Sequence, residues 1–234
     1  MRASSLSGAR RCVVSLACGA ALTGSALAAD ATFVIDPKVG NSAFTAVFDA
    51  TVGERITAVS SAIDCTLTVD EAALTGKARC SVPLTSIKVD NDEIKSDHFA
   101  QWATNKKVEP EACAIELVIT KVKLPAAPAA KQPAPFATEG KFTVCGRARD
   151  DGGAEKITGT LIDLPAGTYG PRRTLRIRAQ VEGFDRERYG VSPKATAGWL
   201  ARVQQLADVV ATEGTIDVNA FAVVPEAASS KPAE

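Results

Sequence analysis

Cysteine and histidine are the reactive side chains of this 234-residue sequence, which has six of the first and one of the second. The histidine, His98, follows Ser96 and Asp97. Neighbours in sequence do not present themselves as nucleophile, base and orienter, so this run does not read as a hydrolytic site. A lone histidine also needs carboxylate help to hold a metal, and the carboxylates here are scattered. None of the cysteines stands in C-x-x-C spacing, which disfavours a zinc cluster. The glycines at 140–146 and 152–153 precede no helical pattern, so they do not form a phosphate loop. No enzyme, metal site or cofactor is expected.

The chemistry left to the cysteines is oxidation. Residues 1–28 carry three arginines and no acid, then a small-residue apolar run, and close on Ala26-Leu27-Ala28. This is the pattern of an export signal cut after Ala28, with the mature protein in the periplasm. The run is short and rich in Gly, Ser and Thr, so no transmembrane span is expected. Whether Cys18 carries a lipid is open, since Ser15 occupies the position where Leu is usual. The leader takes Cys12 and Cys18 with it, and Cys65, Cys80, Cys113 and Cys145 remain in an oxidising compartment.

The elements around these four suggest how they pair. In the stretch AIDCTLTVDEAALTGKARCSV at 62–82, Ile63, Cys65, Leu67 and Val69 share one parity, and Ala78, Cys80, Val82 and Leu84 share another. Both runs have the period of a strand with one buried face. A turn over Asp70–Thr75 sets Cys65 opposite Cys80, Leu67 opposite Ala78 and Ile63 opposite Val82, so one register satisfies cysteines and apolar face together. Cys113 and Cys145 flank LPAAPAAKQPAPF, read as a loop, and pair in the same manner. Because Cys145 shares its parity with Lys141 and Thr143, this second bridge is expected on the outer, wetter face.

Strand-like runs recur at 32–36, 42–50, 55–69, 76–88, 112–124, 136–147, 154–164, 172–184 and 211–223. So many amphipathic strands do not fit one flat sheet, and a closed barrel or a sandwich follows. Two segments are helical in character, a polar one around 91–105 and TAGWLARVQQLAD at 196–208, where Trp199, Val203 and Leu206 share a face as the plug of a barrel end. Residues 29–224 suit one domain, and the tail 225–234 is disordered by composition. Without Arg2, Arg10 and Arg11, the 27 basic residues become 24 against 27 acidic ones, a net charge of −3 that excludes nucleic-acid binding by electrostatics.

Four segments in series resemble a known family. FVIDP, SIKVDNDEIKSDHFAQW…VEPEA, GKFTVCG and VEGFDRERYGV…EGTIDVNAF have the order and spacing of the YceI-like family of exported lipid-binding proteins, over about 33–223. The resemblance implies an all-β, antiparallel, eight-stranded lipocalin-like barrel that encloses a polyisoprenoid or quinone-like tail. It also implies a role for the Asn-containing loop, here Asn91 with His98 downstream. The chain departs from the family at Trp102-Ala103-Thr104 and at Cys145, where many members have Phe-Phe-Asp and a histidine, and the four cysteines are additions to the pattern.

A small barrel is either filled by side chains or left open for one slim ligand, and alternation does not decide between them. The inward candidates for contact with such a ligand are Phe44, Phe48, Ile63, Leu67, Val82, Leu84, Phe142, Val144, Leu175, Ile177, Val181, Ile216 and Val218. His98 is a candidate for a ligand headgroup, and Trp102 joins the set from the same segment. Small residues at Ala46, Ala78, Ala112, Ala114, Ala179 and Ala220 leave volume inside. An inward Cys65–Cys80 bridge narrows the lumen locally, so a bound chain is expected away from it, against Phe142, Val144, Leu175 and Ile177. The expected function is a periplasmic carrier of a long apolar molecule. A ligand-free structural or protein-interaction barrel of the cell envelope is the alternative, and a homodimer is compatible with either.

Overall fold

The structure is a computed structural model and describes residues 30–50, 53–192 and 210–225. The leader 1–28, the Trp199 segment 196–208 and nearly all of the tail 225–234 lie outside the described residues. Twelve strands and one helix follow in order: β1 (Ala31–Ile35), β2 (Ala43–Ala50), β3 (Arg55–Ser60), β4 (Asp64–Asp70), β5 (Thr75–Pro83), β6 (Lys88–Val89), α1 (Glu93–Ala103), β7 (Ala114–Lys123), β8 (Pro133–Val144), β9 (Arg147–Ala148), β10 (Glu155–Leu164), β11 (Thr174–Asp185) and β12 (Val210–Val223).

These twelve make eight positions around a closed antiparallel barrel. β1 and β2 both pair with β12, through Val34↔Val223 and through Ala43↔Asn219 to Ala50↔Val210, so they are two halves of one interrupted strand. β4 pairs with β1 and β3 with β2, making the next position a strand broken at residues 61–63. β5, β7, β8, β10, β11 and β12 supply the other six, and the β1–β12 contact closes the ring. β6 extends the edge of β3, and β9 folds back on β8.

Local chemistry accounts for the interruptions. Between β1 and β2, Gly40 has φ +67°, and a Cβ there would stand 2.5 Å from the Phe221 ring, so only glycine lets the chain cross this aromatic. On β10, a Cβ on Gly159 would meet the carbonyl of Arg178 and the ring of its cross-strand partner Phe136. The polar segment 91–105 becomes α1 because Asp92 accepts a hydrogen bond from the Lys95 amide at 3.0 Å and caps its start.

The Pro/Ala stretch is not all loop, since Pro133, Ala134, Pro135 and Phe136 already belong to β8. The ladder from β8 to β7 runs only from Lys141 to Val144, so the missing proline N–H groups leave no gap in it. Ala112 and Ala114 are also not interior: Ala112 is exposed, and the inward parity of β7 runs through Cys113, Ile115 and Leu117.

Both expected disulfides are present, Cys65–Cys80 and Cys113–Cys145, with Cα atoms 4.1 and 4.4 Å apart. The hairpin register is the expected one, with Leu67↔Ala78 and Asp70↔Thr75. The second bridge is not on the outer face, because Cys113 is 3% exposed and Cys145 is fully buried. Parity fails at Cys145 since its φ of +47° turns the backbone out of the strand and its side chain to the inside. Asn105 fastens this turn, donating its amide to the Cys145 Sγ and its Nδ2 to the Cys145 carbonyl, both at 3.2 Å.

Candidate functional site

Among the described residues, apolar cavities of about 310 and about 300 Å³ lie in the barrel interior. Cavity one occupies the end where β4, β7 and β10 finish and β5, β8 and β11 begin, and it reaches the surface where exposed Glu71, Lys77 and Ala127 line it. Cavity two lies under α1. Among the described residues, only Phe44 and Ile115 line both, and they mark the waist between the chambers.

The inward candidates divide between the chambers. Val82, Phe142, Leu175, Ile177 and Val218, with Ile63 and Leu67, line cavity one. Phe48, Val144 and Ile216 line cavity two together with His98 and Trp102. Leu84 and Val181 are buried but line neither, Leu84 because the strand ends at Pro83 and a 3-10 turn over Leu84–Ser86 carries it aside. Asn91 is exposed and also lines neither. Cys65 and Cys80 share cavity one with Phe142, Leu175 and Ile177, so the bridge forms part of the wall.

α1 supplies one wall of cavity two at helical spacing, through Lys95, His98, Phe99 and Trp102. Its start is held by Asp90, whose carboxylate accepts from the Thr57 amide at 2.8 Å and from Lys95 Nζ at 2.7 Å. Burial acts to raise the Asp90 carboxyl, but the hydrogen bonds from Lys95 and Thr57 outweigh it and hold the group below its ordinary value. The far end of α1 is held by Arg147, which donates to the carbonyls of Ala103, Thr104 and Tyr189 at 2.6, 3.0 and 2.8 Å. Burial lowers the Arg147 pKa, and the carbonyls compensate a charge that has no carboxylate partner among the described residues.

Behind this end, Tyr189 donates its hydroxyl to Glu155 at 2.7 Å, Arg149 binds the same carboxylate at 3.0 Å, and the Tyr189 ring stacks on Phe184 at 4.8 Å. Burial, then the hydrogen bond to Glu155, push the Tyr189 phenol above its ordinary range. Arg186 lines cavity two, yet its guanidinium donates to the carbonyls of Val191, Val210 and Ala211. Burial lowers its pKa too.

Sequence reasoning missed the waist residue Ile115, the wall residues Phe33 and Phe136, and a charged group at the mouth of cavity one. There Arg173 binds Asp163 with both Nε and Nη2, at 2.9 and 2.8 Å, and Glu71 with Nη1, while its guanidinium lies over the Phe33 ring at 5.6 Å. A signal for the trio exists. Glu71, Asp163 and Arg173 each extend the inward parity of a strand one step beyond its last apolar residue, namely Val69, Leu161 and Leu175. Among the described residues, no group of three or more His, Cys, Asp and Glu is placed to hold a metal ion.

No protein-family model matches the chain, and no curated protein matches it. Among solved structures, a polyisoprenoid binding domain from Saccharophagus degradans, implicated in plant cell wall breakdown, superposes with a TM-score of 0.56 at 12% identity, covering 84% of this chain and 100% of that one. The chain therefore has the fold of that domain, the eight-stranded lipocalin-like barrel that its resemblance to the YceI-like family implies.

Proposed function

We propose that this chain is a periplasmic carrier that holds a long apolar molecule, a polyisoprenoid or quinone-like lipid, inside its barrel. The observation that carries the reading is the pair of apolar cavities in line along one lumen. Each sits near the lower bound of ligand pockets, which span about 300–1,000 Å³. A single slim tail fills both only by passing between Phe44 and Ile115. Such a tail runs beside the Cys65–Cys80 bridge rather than away from it, because that bridge lines cavity one.

Burying a tail contributes roughly 0.8 kcal/mol per CH₂ before ordering costs, so affinity is spread along the walls and needs no single polar anchor. The likeness in fold to a polyisoprenoid-binding domain supports a binding role rather than a catalytic one. Two disulfides suit an oxidising compartment, and among the described residues no helix is long and apolar enough to cross a membrane.

The test is native mass spectrometry of protein recovered from the periplasm, before and after extraction with organic solvent. A lipid adduct lost on extraction supports the carrier. Protein at bare mass, with no uptake of added prenol or quinone, favours the ligand-free interaction barrel. Sequencing the mature N-terminus checks cleavage after Ala28.

A further inference from the structure

We propose that Glu71, Arg173 and Asp163 make the mouth of cavity one select apolar chains with an uncharged polar head, such as an alcohol, phenol or quinone, over chains with a phosphate or carboxylate head. The inference rests on the carrier reading and adds the class of ligand.

Around the ring of eight strands, β4 stands three steps from β11 and four from β10. The ion pair from Arg173, just before β11, to Glu71, just after β4, therefore spans the end of the barrel, passing over Phe33 of β1. Asp163 holds the other side of the same guanidinium from β10. A head leaving cavity one meets this strap first.

The strap joins two carboxylates to one cation, so its net charge is −1. Three of the five N–H groups of Arg173 already donate to carboxylates, and one face of its guanidinium lies over Phe33. An anionic head that reaches the remaining N–H groups of Arg173 still sits against that surplus negative charge, and one that displaces Asp163 leaves a partly buried carboxylate unpaired. An uncharged head meets neither obstacle, and carboxylate oxygens accept a hydrogen bond from its hydroxyl.

The other charged residues that line cavity one are Asp70 and Lys77, one of each sign, while Lys123 and Lys131 stand at this end exposed and line neither cavity. Asp70 adds a further carboxylate, which caps its own turn by accepting from the Ala73 amide at 2.8 Å. Arg172 pairs with Asp36. Lys77 lines the rim but stands on the outward parity of β5 and is exposed, so water solvates its ammonium. At the far chamber, Lys95 is bound to Asp90 and the guanidinium of Arg186 to three carbonyls.

The experiment is competition on the delipidated mature chain between equal amounts of geranylgeraniol and geranylgeranyl monophosphate, read as relative occupancy by native mass spectrometry. The alcohol is expected to win by about tenfold or more, the size of one like-charge contact near a protein surface. Freeing Arg173 with Glu71→Gln and Asp163→Asn should cut that preference by about tenfold or reverse it. Arg173→Gln keeps the carboxylates, and should sharpen the preference, which also covers the case in which the double variant fails to fold. Equal or better binding of the phosphate by the native chain overturns the inference and leaves the carrier reading intact. So does a ratio that neither variant moves. Binding of neither lipid removes the carrier reading and this inference with it.

Discussion

Among the described residues, Phe44 of β2 and Ile115 of β7 are the two that line both chambers of the barrel, and both are almost fully buried. They come from positions far apart in the chain and meet the same lumen near its middle. In the carrier reading, a tail that occupies both chambers must cross this waist.

Ile115→Trp should close that waist. Overpacking costs about 1–3 kcal/mol, which the fold should survive. Long prenols should then be lost while chains short enough for one chamber are kept. Occupancy measured against chain length, with a thermal melt as control, checks this, and unchanged retention of long chains would place the tail elsewhere.

Replacing Cys65 and Cys80 together by alanine should lower stability by about 3 kcal/mol through the loop of 15 residues that the bridge closes. The same change widens cavity one, so the variant should take up a bulkier tail than the native chain. Denaturant melts and competitive loading separate the two effects.

His98→Ala should weaken lipid binding by less than about tenfold, because in the carrier reading apolar contact along both chambers carries the affinity. His98 lines only cavity two and is one of four α1 residues there. Complete loss of lipid with the fold intact would show that a headgroup is anchored at His98.

Tyr189, only 1% exposed, ties stability to alkaline pH. Its folded pKa lies above the ordinary value of 10.0, raised first by burial and then by the bond to Glu155. A group raised in the folded state stabilises fully below its unfolded pKa and loses that contribution as pH rises towards its folded one. Unfolding followed above pH 10 should therefore show falling stability, and Tyr189→Phe should flatten that fall. At neutral pH the same variant should lose about 1–2 kcal/mol, since Glu155 keeps only Arg149.

Much of this barrel was legible from local pattern. Alternation about Cys65 and Cys80 set the hairpin register, because side chains two apart face one way and a shift by one residue would have exposed Ile63 and Leu67. The same logic placed Phe142, Leu175 and Ile177 inside. It failed at Cys145, where a left-handed backbone breaks the count, and at Pro133–Phe136, where prolines that look like a loop pair with β10 on one side and have no partner on β7 on the other. At Ala112 and Ala114 it took two small residues for interior ones when Cys113 and Ile115 hold that face.

What closure alone decided is which inward residues meet. Phe44 and Ile115 each read as one more buried hydrophobe until the ring brings them to a common waist. Glu71, Asp163 and Arg173 each read as the charged end of a strand until three strand ends converge on one mouth. Local sequence determines the face a side chain takes, because the backbone period is a property of a few residues. Its partner across the lumen depends on strand order and stagger, which are set when distant strands pair and the sheet closes on itself.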